Sequence, residues 1–130
     1  MSLDVVIVDD DSVVLFLHKV LVKKTMEPNQ VLEFDNATAA LQFLCNRPND
    51  STPLLILLDI NMPVLSGWDF LDTLQQHEPG SNLFVVMVTS SINFSDRKNS
   101  EKYPLVFDYL EKPLTREACC VLSNKIKQLL

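Results

Sequence analysis

Five aliphatic residues in a row, Leu54-Leu55-Ile56-Leu57-Leu58, run without a polar interruption into Asp59. An unbroken apolar run of strand length, as opposed to an alternating one, reads as a β-strand buried on both faces, the habit of parallel sheets covered by helices. Open α/β sheets bind their ligands beyond the carboxyl ends of the strands. Asp59 is therefore predicted at the mouth of a cleft, with Ile60 to Gly67 forming the loop into a helix that starts at Trp68. Taken alone, a carboxylate in that place can equally do no more than end a strand or start a turn.

The rest of the chain repeats the same grammar. Leu3 to Val8 is a second apolar run and ends in Asp9-Asp10-Asp11-Ser12. Val13 to Lys24 is helical, with Asp11 or Ser12 as N-cap and lysines in the last turn, where they suit the helix dipole. Gln30 to Phe34 is a short, less apolar strand that belongs at a sheet edge, and Asn36 caps a helix over Ala37 to Cys45. Trp68 to His77 carries Phe70, Leu71 and Leu74 on one face, and Leu83 to Val88 is another unbroken strand, ending in Thr89-Ser90. Phe94 to Lys102 reads as a short, charged, weakly apolar helix. Pro104 to Glu111 holds the last strand, closed by Lys112-Pro113. Thr115 caps a final helix whose apolar positions are Ala118, Val121, Leu122, Ile126 and Leu129. Strand and helix alternate five times, which specifies a parallel sheet with helices on both faces and right-handed crossovers. The expected architecture is one doubly wound (βα)5 flavodoxin-like domain over residues 1–130, strand order 2-1-3-4-5, with no output domain.

Composition narrows the function. A formal net charge of −6 argues against a direct nucleic-acid partner, because phosphate backbones are bound by clustered Lys and Arg. No apolar run is long enough to cross a bilayer, and the N-terminus lacks the charged and apolar regions of a signal peptide, so no membrane insertion is expected. Three cysteines, an odd number, point to reduced thiols and a cytoplasmic location. His18 and His77, lone histidines on helices, read as surface or boundary residues. Cys119 and Cys120 read as helix packing, and Trp68 as packing at a helix start.

In a parallel sheet the strand ends meet at one edge. Asp9 and Asp10, Asp59, Thr89 and Lys112 would then form one cluster. Two carboxylates at ~4 Å repel by about 4 kcal/mol at an effective dielectric of ~20, and three such pairs by roughly 10 kcal/mol. One lysine offsets part of this. A hard divalent cation with oxygen ligands offsets the rest, and Mg2+ uses few carboxylates and keeps several waters. A cation, a lysine and a hydroxyl beside a carboxylate suit an incoming phosphoryl group, with Asp59 as nucleophile.

Val8-Asp9-Asp10-Asp11-Ser12, Leu58-Asp59-Ile60-Asn61-Met62-Pro63 with Gly67, Val88-Thr89-Ser90 and Tyr109-Leu110-Glu111-Lys112-Pro113 together resemble the CheY-like receiver domain of two-component response regulators, in order and along the whole chain. The resemblance implies that Asp59 accepts a phosphoryl group from a histidine kinase or phosphotransfer protein. It implies a Mg2+ site of Asp9, Asp10, Asp59 and the backbone carbonyl of Asn61. It assigns Thr89, Ser90 and Lys112 to the phosphate, Tyr109 to a ring that changes rotamer on activation, and a cis turn to Lys112-Pro113. Ser66 and Asp108 depart from the usual pattern. The expected chemistry is self-phosphorylation and self-dephosphorylation, not that of a conventional enzyme. Output would pass to an unidentified downstream protein through the fourth helix, fifth strand and fifth helix, a face also available for a homodimer. Three rivals are weighed. A haloacid dehalogenase-type phosphohydrolase needs a second Asp two residues after the nucleophile, where this chain has Asn61. A receiver-like module that binds without phosphorylation usually lacks one of the acidic or lysine positions. A flavodoxin would not place Asp9-Asp10-Asp11 against a flavin phosphate.

Overall fold

The computed structural model describes residues 2–47, 52–77, 82–90, 98 and 101–130. Five strands, β1 (Asp4–Val8), β2 (Gln30–Phe34), β3 (Leu54–Asp59), β4 (Leu83–Thr89) and β5 (Val106–Glu111), form one sheet in the order β2-β1-β3-β4-β5. Every adjacent pair is parallel. This is the flavodoxin-like order expected from the sequence. The helices described are α1 (Ser12–Met26), α2 (Ala37–Cys45), α3 (Gly67–Gln76) and α4 (Arg116–Leu129). Most of the helix expected over Phe94 to Lys102 lies outside the described residues.

Successive strand residues point to opposite faces, and the core divides accordingly. Val6, Val8, Leu54, Ile56, Leu58, Val85 and Met87 pack with Phe70, Leu71 and Leu74 of α3 and Ala40 and Leu41 of α2. Val5, Ile7, Leu55, Leu57, Val86 and Val88 pack with Leu15, Val22 and Met26 of α1 and Cys119, Leu122 and Ile126 of α4. All six residues of β3 are buried, as its unbroken apolar run requires, whereas β2 at the edge is only half-buried.

Local chemistry sets the helix starts. The Asp11 carboxylate accepts the N–H groups of Val13 and Val14, Asn36 accepts that of Ala39, and Thr115 that of Ala118. Each supplies an acceptor to donors that a helix leaves open in its first turn. Ser66 caps α3 in a reciprocal box with Asp69, so the departure from the usual pattern at position 66 retains a capping side chain.

Three side-chain expectations are corrected. The buried stripe of α4 is Cys119, Leu122, Ser123 and Ile126, spaced as one helical face, while Val121 and Leu129 are exposed. Cys119 packs in the core, but Cys120, one residue on, faces solvent. His18 is not a surface residue: it is 3% exposed, on the same face of α1 as Leu15 and Val22. Trp68 packs as expected, its ring stacked on Tyr103 with centroids 5.6 Å apart.

Candidate functional site

The strand ends converge as the topology demands. Asp9 follows β1 directly, Asp59 closes β3, Thr89 closes β4, and Lys112 follows β5. One carboxylate oxygen each of Asp9, Asp10 and Asp59 lies within 4.8 Å of the others. Asp9 and Asp59 are 2% and 3% exposed, Asp10 is exposed, and Thr89 is buried. The Lys112 ammonium straddles the two buried acids, 2.7 Å from Asp9 Oδ2 and 3.3 Å from Asp59 Oδ2.

Backbone amides satisfy the other carboxylate oxygens. Asp11 N–H donates to Asp9 Oδ1 at 2.9 Å, and Asn61 N–H to Asp59 Oδ1 at 3.1 Å. Lys112 is anchored through its own backbone, its N–H donating to the Thr89 carbonyl at 2.6 Å. The Lys112-Pro113 peptide is cis, as expected from the sequence. Gly67 begins α3 because nothing larger fits: a Cβ there would stand 2.8 Å from the Asp59 carbonyl oxygen and 2.9 Å from Ile60 Cα. Its N–H donates to the Ile60 carbonyl at 2.9 Å, which folds the loop back onto the end of β3.

Electrostatics mark Asp59 out. Burial, and then the charge on Asp9, push its carboxyl up from 3.8 to about 6, against the opposing pull of Lys112 and the Asn61 amide. Burial also works against the Lys112 charge, but the Asp9 and Asp59 carboxylates outweigh it and leave its pKa raised. Titratable groups displaced in this way in a cleft are a mark of functional sites.

Between Asn61 and Gly67 the loop is strained. Val64 sits at φ 69° and is fully exposed, at 103%. Leu65 N–H donates back to the Pro63 carbonyl at 2.7 Å. That is a three-residue turn of the unfavourable hand, unusual for a β-branched residue.

Of the residues singled out in the sequence, Asp9, Asp10, Asp59 and Lys112 come together as described. Asn61 is exposed beside Asp59, and Ser90 is exposed just beyond Thr89. Tyr109 is buried in the core on the α2–α3 side of the sheet. Asp108 accepts the Tyr109 N–H at 2.7 Å and pairs with Lys125 of α4 at 3.2 Å.

One residue at the site was not legible as such. The buried His18 Nε2 accepts the N–H of Leu114, 3.4 Å away and two residues past Lys112. Burial holds the imidazole below its ordinary 6.5; the Asp9 charge opposes this and the Lys112 charge adds to it. The signal available in the sequence was a single imidazole among the apolar residues of a helix whose other charged groups are lysines.

The chain matches the family model described as the response regulator receiver domain over residues 5–122. It is 29% identical over 126 residues to the sensor histidine kinase CheAY of Helicobacter pylori; the match covers 95% of this chain but only 15% of that protein. Among solved structures, a two-component response regulator from Cytophaga hutchinsonii is similar at 28% identity with a TM-score of 0.86, covering 98% of both chains. A response regulator receiver protein from Dyadobacter fermentans is similar at 27% identity with a TM-score of 0.82, covering 98% of this chain and 97% of that one.

Proposed function

This chain belongs to the response regulator receiver family, and on that premise we propose that it is a phosphorylation switch whose Asp59 carboxylate accepts a phosphoryl group from a histidine kinase or a histidine phosphotransfer protein. One observation carries the reading: the buried Asp59 carboxylate lies 3.3 Å from an ammonium that also holds Asp9.

In the transfer, an Asp59 oxygen forms a bond to phosphorus as the bond between phosphorus and the donor imidazole nitrogen breaks, and the electron pair leaves with the imidazole. Asp59 must be ionised to attack, and with its pKa near 6 it is so at neutral pH. Lys112 shifts from its carboxylate partners to an oxygen of the incoming group, and the Thr89 hydroxyl at the end of β4 donates to another. Both act as pre-placed charge and hydrogen-bond donors where negative charge gathers. The Asp9, Asp10 and Asp59 carboxylates lie close together; they, with the Asn61 carbonyl, would hold Mg2+, which when bound would supply positive charge to the phosphoryl oxygens.

Val13, Phe16 and Leu17 are exposed on the first turns of α1, directly after the acidic cluster, and give an approaching protein an apolar surface beside the acceptor. The product brings about two negative charges and strong acceptors to the site. Thr89 and Lys112, drawn towards them, carry the change along β4 and β5 to Ser90 and Tyr109, and so to altered binding of a downstream protein. Among the described residues no helix is long and apolar enough to cross a membrane.

Incubation with acetyl phosphate and Mg2+, followed by intact mass, tests this. The wild-type protein gains one phosphoryl mass and Asp59→Asn gains none. A full gain by Asp59→Asn refutes the assignment.

A further inference from the structure

A buried imidazole is a costly choice on the inner face of α1. The stripe it shares is otherwise Leu15, Val22 and Met26, and an aliphatic residue would fill the place without desolvating two ring nitrogens. What His18 does in exchange is specific: its Nε2 accepts the backbone N–H of Leu114. Leu114 is itself buried, and lies just beyond the Lys112-Pro113 turn.

The segment carrying the lysine is thus fastened at both ends. Upstream, Lys112 N–H is bonded to the Thr89 carbonyl of β4; downstream, Leu114 N–H is bonded to α1 through His18. Between these anchors the side chain must reach across to Asp9 and Asp59. A lysine stem has four flexible carbons, and the accuracy of its ammonium depends on how firmly its backbone is held. Small misplacements of a group that stabilises a transition state are expensive in rate.

From this geometry we infer that His18 is a positioning residue for phosphoryl transfer, acting through Lys112: it pins the loop after β5 to α1 and so fixes where the ammonium stands. The inference rests on Asp59 being the acceptor. It gives α1, whose Phe16 and Leu17 neighbour His18, a direct mechanical tie to the phosphoryl group. When Lys112 moves to a new partner, the strain is passed to Leu114 N–H and the imidazole.

The test is a double-mutant cycle read as the rate of phosphoryl gain from acetyl phosphate at saturating Mg2+. His18→Leu, which leaves the Leu114 N–H without its acceptor, should slow the wild-type rate by about tenfold, or ~1.4 kcal/mol of barrier. His18→Gln, which can supply an acceptor, should recover most of it. In a Lys112→Ala background His18→Leu should have no further effect, because there is no ammonium left to place. An undiminished rate in His18→Leu, or an equal slowing in the Lys112→Ala background, overturns the inference. In the wild-type protein, imidazole nitrogen resonances should show an unprotonated Nε2 and should shift on adding beryllofluoride with Mg2+; ring signals that do not move refute the tie even if the variants do not fold. Failure of the underlying assignment looks different: the wild-type protein then gains no phosphoryl mass, or Asp59→Asn gains it in full.

Discussion

Replacing Asp59 by Asn should stabilise the metal-free protein, and by an amount that depends on pH in a defined way. The folded state holds the Asp59 carboxyl at about 6 against an ordinary 3.8. An acid whose pKa is raised by folding binds its proton more tightly in the native state. Its contribution is most favourable at low pH, declines as pH rises from 3.8 towards 6, and is fully lost above that. At ~1.4 kcal/mol per pH unit, the ionised carboxylate costs the fold roughly 3 kcal/mol at neutral pH. Asn keeps the shape of the neutral acid and removes the charge. Lys112 is not stranded, because Asp9 remains 2.7 Å from it. Urea denaturation of both proteins in a metal chelator, from about pH 4 to pH 8, reads the difference directly. Comparing the two cancels the titration of carboxylates remote from the site. The advantage of Asp59→Asn should be about 3 kcal/mol at pH 7.5 and close to nothing at pH 4. Saturating Mg2+ should shrink it, since an ion that binds only the native wild-type protein stabilises that protein by mass action. A variant less stable than the wild type at pH 7.5, or an advantage that does not change with pH, would refute the electrostatic account of the site.

Gly67→Ala should cost about 2 kcal/mol in urea denaturation, because the new methyl meets backbone atoms of Asp59 and Ile60 that cannot give way without moving the end of β3. The same variant should accept phosphoryl groups more slowly; unchanged stability would show that the loop has room. Asp10→Ala, at an exposed position, should leave the fold intact while weakening Mg2+ binding at least tenfold by calorimetry, and an unchanged affinity would remove Asp10 from the donor set. Val64→Gly should raise stability by about 1 kcal/mol through relief of the left-handed backbone, with no packing lost at a fully exposed side chain; a loss in thermal or urea stability would argue that the turn is not strained.

The sheet was legible because its strands are nearly pure. β3 and β4 are apolar up to their last residue, β2 is mixed, and that contrast alone sets centre and edge. The acidic cluster was legible for the same reason: polar groups at the ends of such strands have nowhere else to go. Other features left no such trace. α1 is apolar almost all round, so its periodicity could not say which face turns inward, and His18 was misplaced while Phe16 and Leu17 proved exposed. The final helix offered two overlapping apolar stripes, and Ser123, a polar residue, joined the buried one. The register between β4 and β5 shifts at Phe107, with Val85 opposite Val106 but Val86 opposite Asp108; such a bulge is decided by how two strands meet and not by either alone. The capping box of Ser66 and Asp69 is present in the sequence only as a three-residue spacing.

The parallel sheet also sets a timetable. Asp9 and Asp59 are synthesised early and Lys112 late, and the lysine reaches them only when β5 has paired with the finished edge of β4. Until then a nascent chain that closes β1 against β3 brings two carboxylates together without the Lys112 ammonium that pairs with both in the folded protein. Domains generally fold as units, and partly folded intermediates are the species most exposed to misassembly. Here the charge that settles the acidic cluster follows the last strand in the chain. If Asp59 is the acceptor, as proposed, competence to receive a phosphoryl group requires β5 in place, and a chain without it should be silent to a donor.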